Sequence, residues 1–270
     1  MANEVTYELE GEIALIGLNR PDKRNCMNSA MNQELNKAVQ RAQEEAKVGV
    51  LFGHGEHFSA GLDLAEALHW INAAPEDRLK NRGRWHPTLD GLARGQIPFV
   101  AALKGATIGG GLEIASAAHV RVADESTFFA LPEGQRGIFV GGGGSVRIQR
   151  LIGYARMADM MLTGRVLTAE EGERYNLCQY LTPKGESLER AKALALRIAK
   201  NAPLTNWAIA SCLNRVNDMS HNDGLFMESL ISQAVGSKRS EEGLRAFVEK
   251  RAERLVEPGK SGDGGETIKK

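Results

Sequence analysis

Apolar residues fall in short runs along the first two thirds of the chain and at helical spacing along the last third. Thr6 to Glu8 and Ile13 to Leu18 flank Glu10-Gly11-Glu12, which reads as a hairpin. Asn19 to Asn25 is a polar loop broken by Pro21. Ser29 stands as the N-cap of a helix reaching about Glu45, with Leu35, Ala38, Val39 and Ala42 on one face. Val48 to Phe52 predicts a buried strand, and Gly53 to His57 turns the chain. Phe58 to Leu64 leads into another helix. Pro75 to Arg94 is charged and mixed; it predicts a helical, mobile segment beside a ligand pocket.

The stretch that organises the rest is Phe99 to Glu133. The run Phe99 to Leu103 is strand-like. Three glycines, Gly109 to Gly111, then lead into a helix-like Leu112 to Ala118. Val120 to Ala123 is a second short run. Helices follow over Ser145 to Ile152 and Tyr154 to Leu162, with Met157, Met160 and Met161 as core filler. Thr168 and Glu171 have capping-box spacing. Leu177 to Leu181 predicts the last strand. Beyond it, Ser187 to Lys200, Pro203 to Val216, His221 to Val235 and Ser240 to Leu255 all show helical spacing, and the tail from Pro258 predicts disorder. No internal repeat is visible. Strands alternating with helices, then helices alone, imply an α/β core with a helical C-terminal extension.

Glycines at a strand-to-helix junction let the backbone turn sharply and let a ligand approach main-chain N–H groups. The first N–H groups of a helix have no internal partner and carry partial positive charge, so the junction suits a negative oxygen. Two readings stand: a dinucleotide phosphate site, or an oxyanion hole for acyl chemistry. Glu113 in the first helical turn would repel a pyrophosphate, no Lys-Ser or Lys-Thr pair closes the glycine run, and the spacing is not G-x-G-x-x-G. A transient enolate beside a proton-exchanging carboxyl fits better.

At 270 residues the chain holds one large domain, or one domain with an extension. Lysine plus arginine and aspartate plus glutamate both number 34, so nothing in the charge suggests nucleic acid or an anionic membrane as partner. No apolar run is long enough for a membrane span, and the N-terminus lacks a secretory pattern. Cys26, Cys178 and Cys212 are few, odd in number and far apart, which suggests reduced thiols in a cytoplasmic protein. His54 and His57 lack a third ligand, so no metal is expected.

With those residues in view, the chain resembles the crotonase (enoyl-CoA hydratase/isomerase) superfamily from about Val5 to Val256. The resemblance rests on Leu18 to Asn25, Phe58 to Leu64, Lys104 to Glu113, Phe129 to Glu133, Leu162 to Arg165 and Ala246 to Arg251, in that order. It implies a ββα spiral core over residues 1–185 and a helical extension over 186–257 that serves oligomerisation and pocket cover. Residues 258–270 form the tail. It implies a trimer or dimer of trimers.

The resemblance also implies an acyl-CoA thioester as substrate and no separate cofactor, coenzyme A being part of that substrate. The thioester oxygen would be held by the main-chain N–H groups of Leu62 and Gly110. Coenzyme A would run along Lys23, Arg24 and Ala60, with Asp63 and Leu64 flanking the thioester arm. Phe247 and Lys250 of a neighbouring subunit would touch the adenine. Hydratases of this family use two glutamates, and both positions are Glu here, Glu113 and Glu133. Glu133 is assigned as proton donor to the α-carbon, and both as holders of the water. Trp85, His86, Phe129 and Phe139 could line a wide apolar acyl pocket. Gly141 stands where related dehalogenases carry a nucleophilic Asp, and His119 replaces an acidic residue, removing an expected turn acceptor. The expected reaction is hydration of an enoyl-CoA or its reverse. The alternatives are isomerisation, a carnitinyl-CoA-like dehydration, hydration with cleavage of an aromatic acyl-CoA, or a binding protein of the same fold. Neutral charge and two intact glutamates argue against the last.

Overall fold

The computed structural model describes residues 3–81, 83–236, 238–249 and 251. The chain divides into two compact units, one ending at Asp218 and the other beginning at Met219. The first opens with β1 (Val5–Glu10) and β2 (Ile13–Leu18), an antiparallel hairpin turned at Gly11, whose φ is +59°. Next comes α1 (Ser29–Glu45). Its N-cap is Asn28, one residue before the expected Ser29. The Asn28 side chain accepts from the Met31 N–H at 2.8 Å, while the Ser29 hydroxyl donates to Glu66.

The chain continues through β3 (Val48–Gly53), α2 (Leu64–Ile71), α3 (Pro75–Asn81) and α4 (His86–Arg94). Around the glycines lie β4 (Phe99–Leu103), β5 (Ala106–Ile108), α5 (Gly110–Ala117), β6 (Val120–Asp124) and β7 (Phe128–Ala130). Then come α6 (Gly144–Ile152), α7 (Tyr154–Thr163), β8 (Val166–Thr168) and α8 (Ala169–Arg174), the last opened by the Thr168–Glu171 capping box. The unit ends with β9 (Tyr180–Thr182), α9 (Ser187–Ala199), α10 (Pro203–Trp207), a π-helical turn over Ala208–Cys212 and α11 (Leu213–Val216). The second unit holds α12 (His221–Ala234) and α13 (Lys238–Val248). The tail from Pro258 lies outside the described residues.

Six strands form one sheet in the order β1-β2-β3-β4-β6-β9, parallel from β2 onward. A second sheet joins β5, β7 and β8. After β2, β3, β4 and β6 the chain makes a second-layer strand or bridge and then a helix. The sets are β4, β5, α5 and β6, β7, α6; earlier, β3 is followed by Ser59, bridged to Thr107, and then α2. Met27, bridged to Leu62, holds the matching place between β2 and α1. These are the repeated ββα turns the sequence led us to expect. The repeat lives in the backbone alone, which is why no sequence repeat accompanies it.

Period-two alternation splits the core across the sheet. Ala14, Ile16, Leu18, Leu51, Phe99 and Ala101 pack on one face with α1 and α5. Ile13, Leu15, Val48, Val50, Val100 and Val122 pack on the other with Ala191, Leu194 and Ala195 of α9. α9 thus forms a layer of the first unit, so residues 186–257 are divided between the two units.

Candidate active site

The winding brings equivalent positions of successive turns side by side. Leu62 ends the second-layer segment before α2, and Gly110 opens α5 after β5. Both line one cleft, together with Glu113, Glu133, Trp85 and Phe139.

The two N–H groups expected to hold an oxyanion have local reasons to be free. Leu62 sits in a parallel bridge in which its neighbours do the pairing: Met27 N–H donates to Gly61 O at 2.7 Å, and Asp63 N–H donates to Met27 O at 2.9 Å. Gly110 is the first residue of α5, whose opening N–H groups have no helical acceptor. Among the described residues neither N–H has a hydrogen-bond acceptor. Gly61 makes the approach possible. Its φ is +89°, and a Cβ there would stand 2.7 Å from Ile108 O and 3.2 Å from Gly110 N. Ser59 holds this turn by accepting from Gly61 N–H at 3.1 Å and donating to Asn25 O at 2.8 Å. Asn25 is fully buried and ties the same region together, donating to the His54 and His57 carbonyls at 2.9 and 2.8 Å.

The two glutamates occupy unequal environments. Glu113 is 6 % exposed; its Oε1 accepts from Gly142 N–H at 2.7 Å and Gly144 N–H at 2.8 Å. These donors belong to the four-glycine run and the start of α6, so the anion bound at that helix N-terminus is Glu113 itself. Glu133, also 6 % exposed, follows β7, and its buried Oε2 has no hydrogen-bond partner. Burial raises both carboxyls above the ordinary carboxylate range. For Glu113 the glycine N–H groups and then Arg147 oppose the rise. For Glu133 the charge of Glu113 adds to it, and Glu133's own N–H and Arg136 oppose it.

A stability consequence follows from these directions. In the unfolded chain each carboxyl titrates near its ordinary 4.5, and below that pH both states are protonated. As pH rises through the raised folded values, the fold must hold carboxylates in a poor environment, and stability is lost. Glu133→Gln removes one such loss. Thermal melts should show the Tm of the variant gaining on wild type as pH rises from 4.5 to 8. A gap that stays constant with pH contradicts this.

Not every expected residue reaches the cleft. Trp85 and Phe139 line it, Trp85 9 % and Phe139 69 % exposed. Phe129 does not: it is 0 % exposed and its ring packs on Gly172, where a Cβ would meet it at 2.2 Å, so it is core. His86 is also absent from the lining; its Nε2 donates to the Gly141 carbonyl at 3.1 Å. Asp63 accepts from Arg20 at 3.1 Å and caps α2 through Ala65 N–H, so it shapes the turn, and Leu64 alone of that pair faces the cleft. Lys23 and Arg24 are exposed beside it, the Arg24 carbonyl accepting from Ala60 N–H at 2.8 Å. Phe247 lies on α13 in the second unit, and Lys250 lies outside the described residues. His119 keeps the acceptor that its replacement of an acidic residue was expected to remove: its Nδ1 accepts from Phe99 N–H at 3.0 Å. The glycine clamp on Glu113 and the Asn25–Ser59 brace went unread in the sequence. The Gly141 to Gly144 run was the one signal pointing to the clamp.

The arrangement can polarise a carbonyl oxygen with two N–H groups while two carboxyls face the adjoining atoms. The chain is similar to known proteins along nearly its whole length. The sequence model of the enoyl-CoA hydratase/isomerase family matches residues 8–257. Enoyl-CoA hydratase EchA19 of Mycobacterium tuberculosis is 33% identical, the match covering 92% of this chain and 95% of that protein. Among solved structures, a Rhodopseudomonas palustris protein described as an enoyl-CoA hydratase superposes with a TM-score of 0.85 at 44% identity, over 92% of this chain and 95% of that one. The enoyl-CoA hydratase of Bacillus anthracis superposes with a TM-score of 0.84 at 30% identity, over 92% and 97%. No helix among the described residues is long and apolar enough to cross a membrane. The cleft, the spiral that builds it and these likenesses agree, and the chain belongs to the enoyl-CoA hydratase/isomerase family of the crotonase superfamily.

Proposed function

We propose that this protein adds water across the double bond of an α,β-enoyl-CoA to give a 3-hydroxyacyl-CoA, and runs the reverse dehydration. The observation that carries the reading is the unequal pair of carboxyls beside two free N–H groups. Glu113, with two N–H donors on one oxygen, is the better carboxylate. Glu133, with a buried oxygen lacking any donor, is the better carboxylic acid.

The roles follow. The thioester oxygen accepts from Leu62 N–H and Gly110 N–H, which stabilise the enolate as it forms. Water is held between the two carboxyls. Its oxygen bonds to C3 while one proton passes to Glu113. The double-bond electrons move into the enolate, and Glu133 delivers its proton to C2. Proton exchange between the two carboxyls restores the starting state. No separate cofactor enters, since coenzyme A is part of the substrate. It would lie along Lys23, Arg24 and Ala60, with Leu64 against the thioester arm. Contact of the adenine with Phe247 and Lys250 from a neighbouring subunit belongs to the same proposal, as do a trimeric or hexameric assembly and a cytoplasmic location. Tyr154, Leu162 and Leu213 are among the exposed apolar side chains of the first unit.

The test is steady-state turnover of a panel from crotonyl-CoA to cinnamoyl-type thioesters, followed by loss of enoyl absorbance with mass analysis of the products. Gain of one water supports the proposal. An aldehyde with acetyl-CoA means a lyase, and an unchanged mass with a moved double bond means an isomerase; either overturns it. The acyl groups accepted report how wide a wall Trp85 and Phe139 leave.

A further inference from the structure

Behind Glu113, on the side away from the cleft, sits a cation that the chemistry above leaves unused. Arg147 projects from α6 and its guanidinium lies against the glycine loop. Nη2 donates to the Gly142 carbonyl, and Nη1 stands 3.6 Å from Asp90 Oδ1. Gly143, with φ +92°, makes room: a Cβ there would stand 2.7 to 2.9 Å from the guanidinium atoms. The Arg147 side chain is 18 % exposed and its Nε is buried without a hydrogen-bond partner. A buried donor left unpaired is costly, and filling space would be done more cheaply by an apolar side chain.

The loop geometry shows what the cation does. The Gly142 N–H and the Gly144 N–H both reach Glu113 Oε1, and the peptide lying between them is the one whose carbonyl Arg147 holds. Pinning that middle peptide fixes the tilt of its neighbours on both sides. His86 acts on the peptide before it, donating to the Gly141 carbonyl at 3.1 Å, and this peptide carries the Gly142 N–H. A peptide polarised at its oxygen donates more strongly at its nitrogen.

We infer that Arg147 is a positioning residue for Glu113, fixing the glycine loop so that two N–H groups converge on one carboxyl oxygen and the other oxygen is left for the reacting water. This rests on the reading of Glu113 as the water-holding carboxylate. Arg147 touches no substrate in this account. Its positive charge also favours the ionised form of Glu113.

The charged groups around Glu113 set the sign of each test. α5 itself carries no other ionisable side chain, and β5 carries none. From α6 come Arg147 and, farther along, Arg150; from α4 come His86, Asp90 and Arg94; from the segment after β7 come Glu133 and Arg136. Arg94 and Arg150 are both paired with Asp218, at 3.0 and 2.6 Å. Asp90 is therefore the carboxylate that offsets Arg147.

The experiment uses the full chain with Arg147→Gln, Arg147→Lys and Asp90→Asn. Infrared difference spectra, referenced to Glu113→Gln, follow ionisation of the Glu113 carboxyl with pH. The expected midpoint moves up in Arg147→Gln, stays near wild type in Arg147→Lys, and moves down in Asp90→Asn, where the cation loses its counter-charge. In enoyl-CoA hydration, Arg147→Gln should lose about 100-fold in kcat with KM within about threefold, the loss expected of a displaced reacting group. Its acid limb should move up with the infrared midpoint. Arg147→Lys should keep the limb but recover only part of the rate, because an ammonium lacks the planar fork. Midpoints that coincide in all variants overturn the inference whatever reaction the enzyme runs. Midpoints that move while the rate profile does not keep Arg147 as the residue that positions the glycine loop on Glu113, but overturn the part of the inference that gives the other Glu113 oxygen to the reacting water. Should Arg147→Gln fail to fold, the opposite shift in Asp90→Asn still decides.

Discussion

Glu133→Gln is expected to bind enoyl-CoA thioesters as wild type does and to turn them over about 10²- to 10⁴-fold more slowly, the range that a positioned proton donor contributes. Intact binding follows from the structure around the carboxyl. Glutamine matches the protonated acid in shape and charge, and the buried Oε2 it replaces has no protein partner to lose. The turn is held by the main chain, the Glu133 carbonyl accepting from Arg136 N–H at 3.0 Å and Ile138 N–H at 3.1 Å, and the substitution leaves these bonds untouched. What the amide cannot do is deliver a proton to carbon. Calorimetric titration with a thioester, beside initial rates, separates the two quantities. Unchanged turnover would remove Glu133 from the chemistry; lost binding would make it a structural residue.

Gly110→Ala should be as well folded as wild type, yet slower by about 10²- to 10³-fold, the scale of losing one oxyanion donor. Gly110 opens α5 with an ordinary negative φ, and alanine is the better helix former. The new methyl would come within 2.4 Å of Met27 Cε, the free end of a flexible side chain that can swing aside. It would also stand 3.5 Å from Leu62 N, in the space between the two donors that the thioester oxygen needs. Thermal melts and kcat/KM measured together test this. A slow enzyme with an unchanged or raised Tm supports the hole; wild-type rates would place the oxyanion elsewhere.

Much of this architecture could be read from the chain, and the limits of that reading have physical causes. The hairpin at Gly11, the strand Phe99–Leu103 and the capping box at Thr168 are local: a turn residue, an apolar run and a four-residue spacing each suffice. The Asn28 cap was missed because Asn28 and Ser29 are both good caps, and only the distant Glu66 draws the serine hydroxyl away. The apolar run predicts the last strand over Leu177 to Leu181, whereas Leu177 and Cys178 are buried core residues and the strand begins at Tyr180. β5 and β7 are three residues long each, too short for a periodic signal, and exist because parallel partners meet them.

The site divides the same way. Leu62, Gly110, Glu113 and Glu133 were legible because each lies in a short motif. For Phe129 and His86 the sequence does not show where the ring points: Phe129 packs in the core against Gly172, and His86, which is exposed, turns to the Gly141 carbonyl. The different tasks of the two glutamates were assigned through family resemblance. Their physical basis is three-dimensional: two glycine N–H groups about thirty residues along the chain favour one carboxylate, and the other has no such donors.

The most direct measurement of the central claim is turnover of crotonyl-CoA in water labelled with both ²H and ¹⁸O, with mass analysis of the thioester product. The account predicts a 3-hydroxyacyl-CoA carrying one solvent oxygen on C3 and one solvent hydrogen on C2, formed by wild type and lost in Glu133→Gln. A consumed substrate whose thioester product carries no solvent oxygen would contradict it.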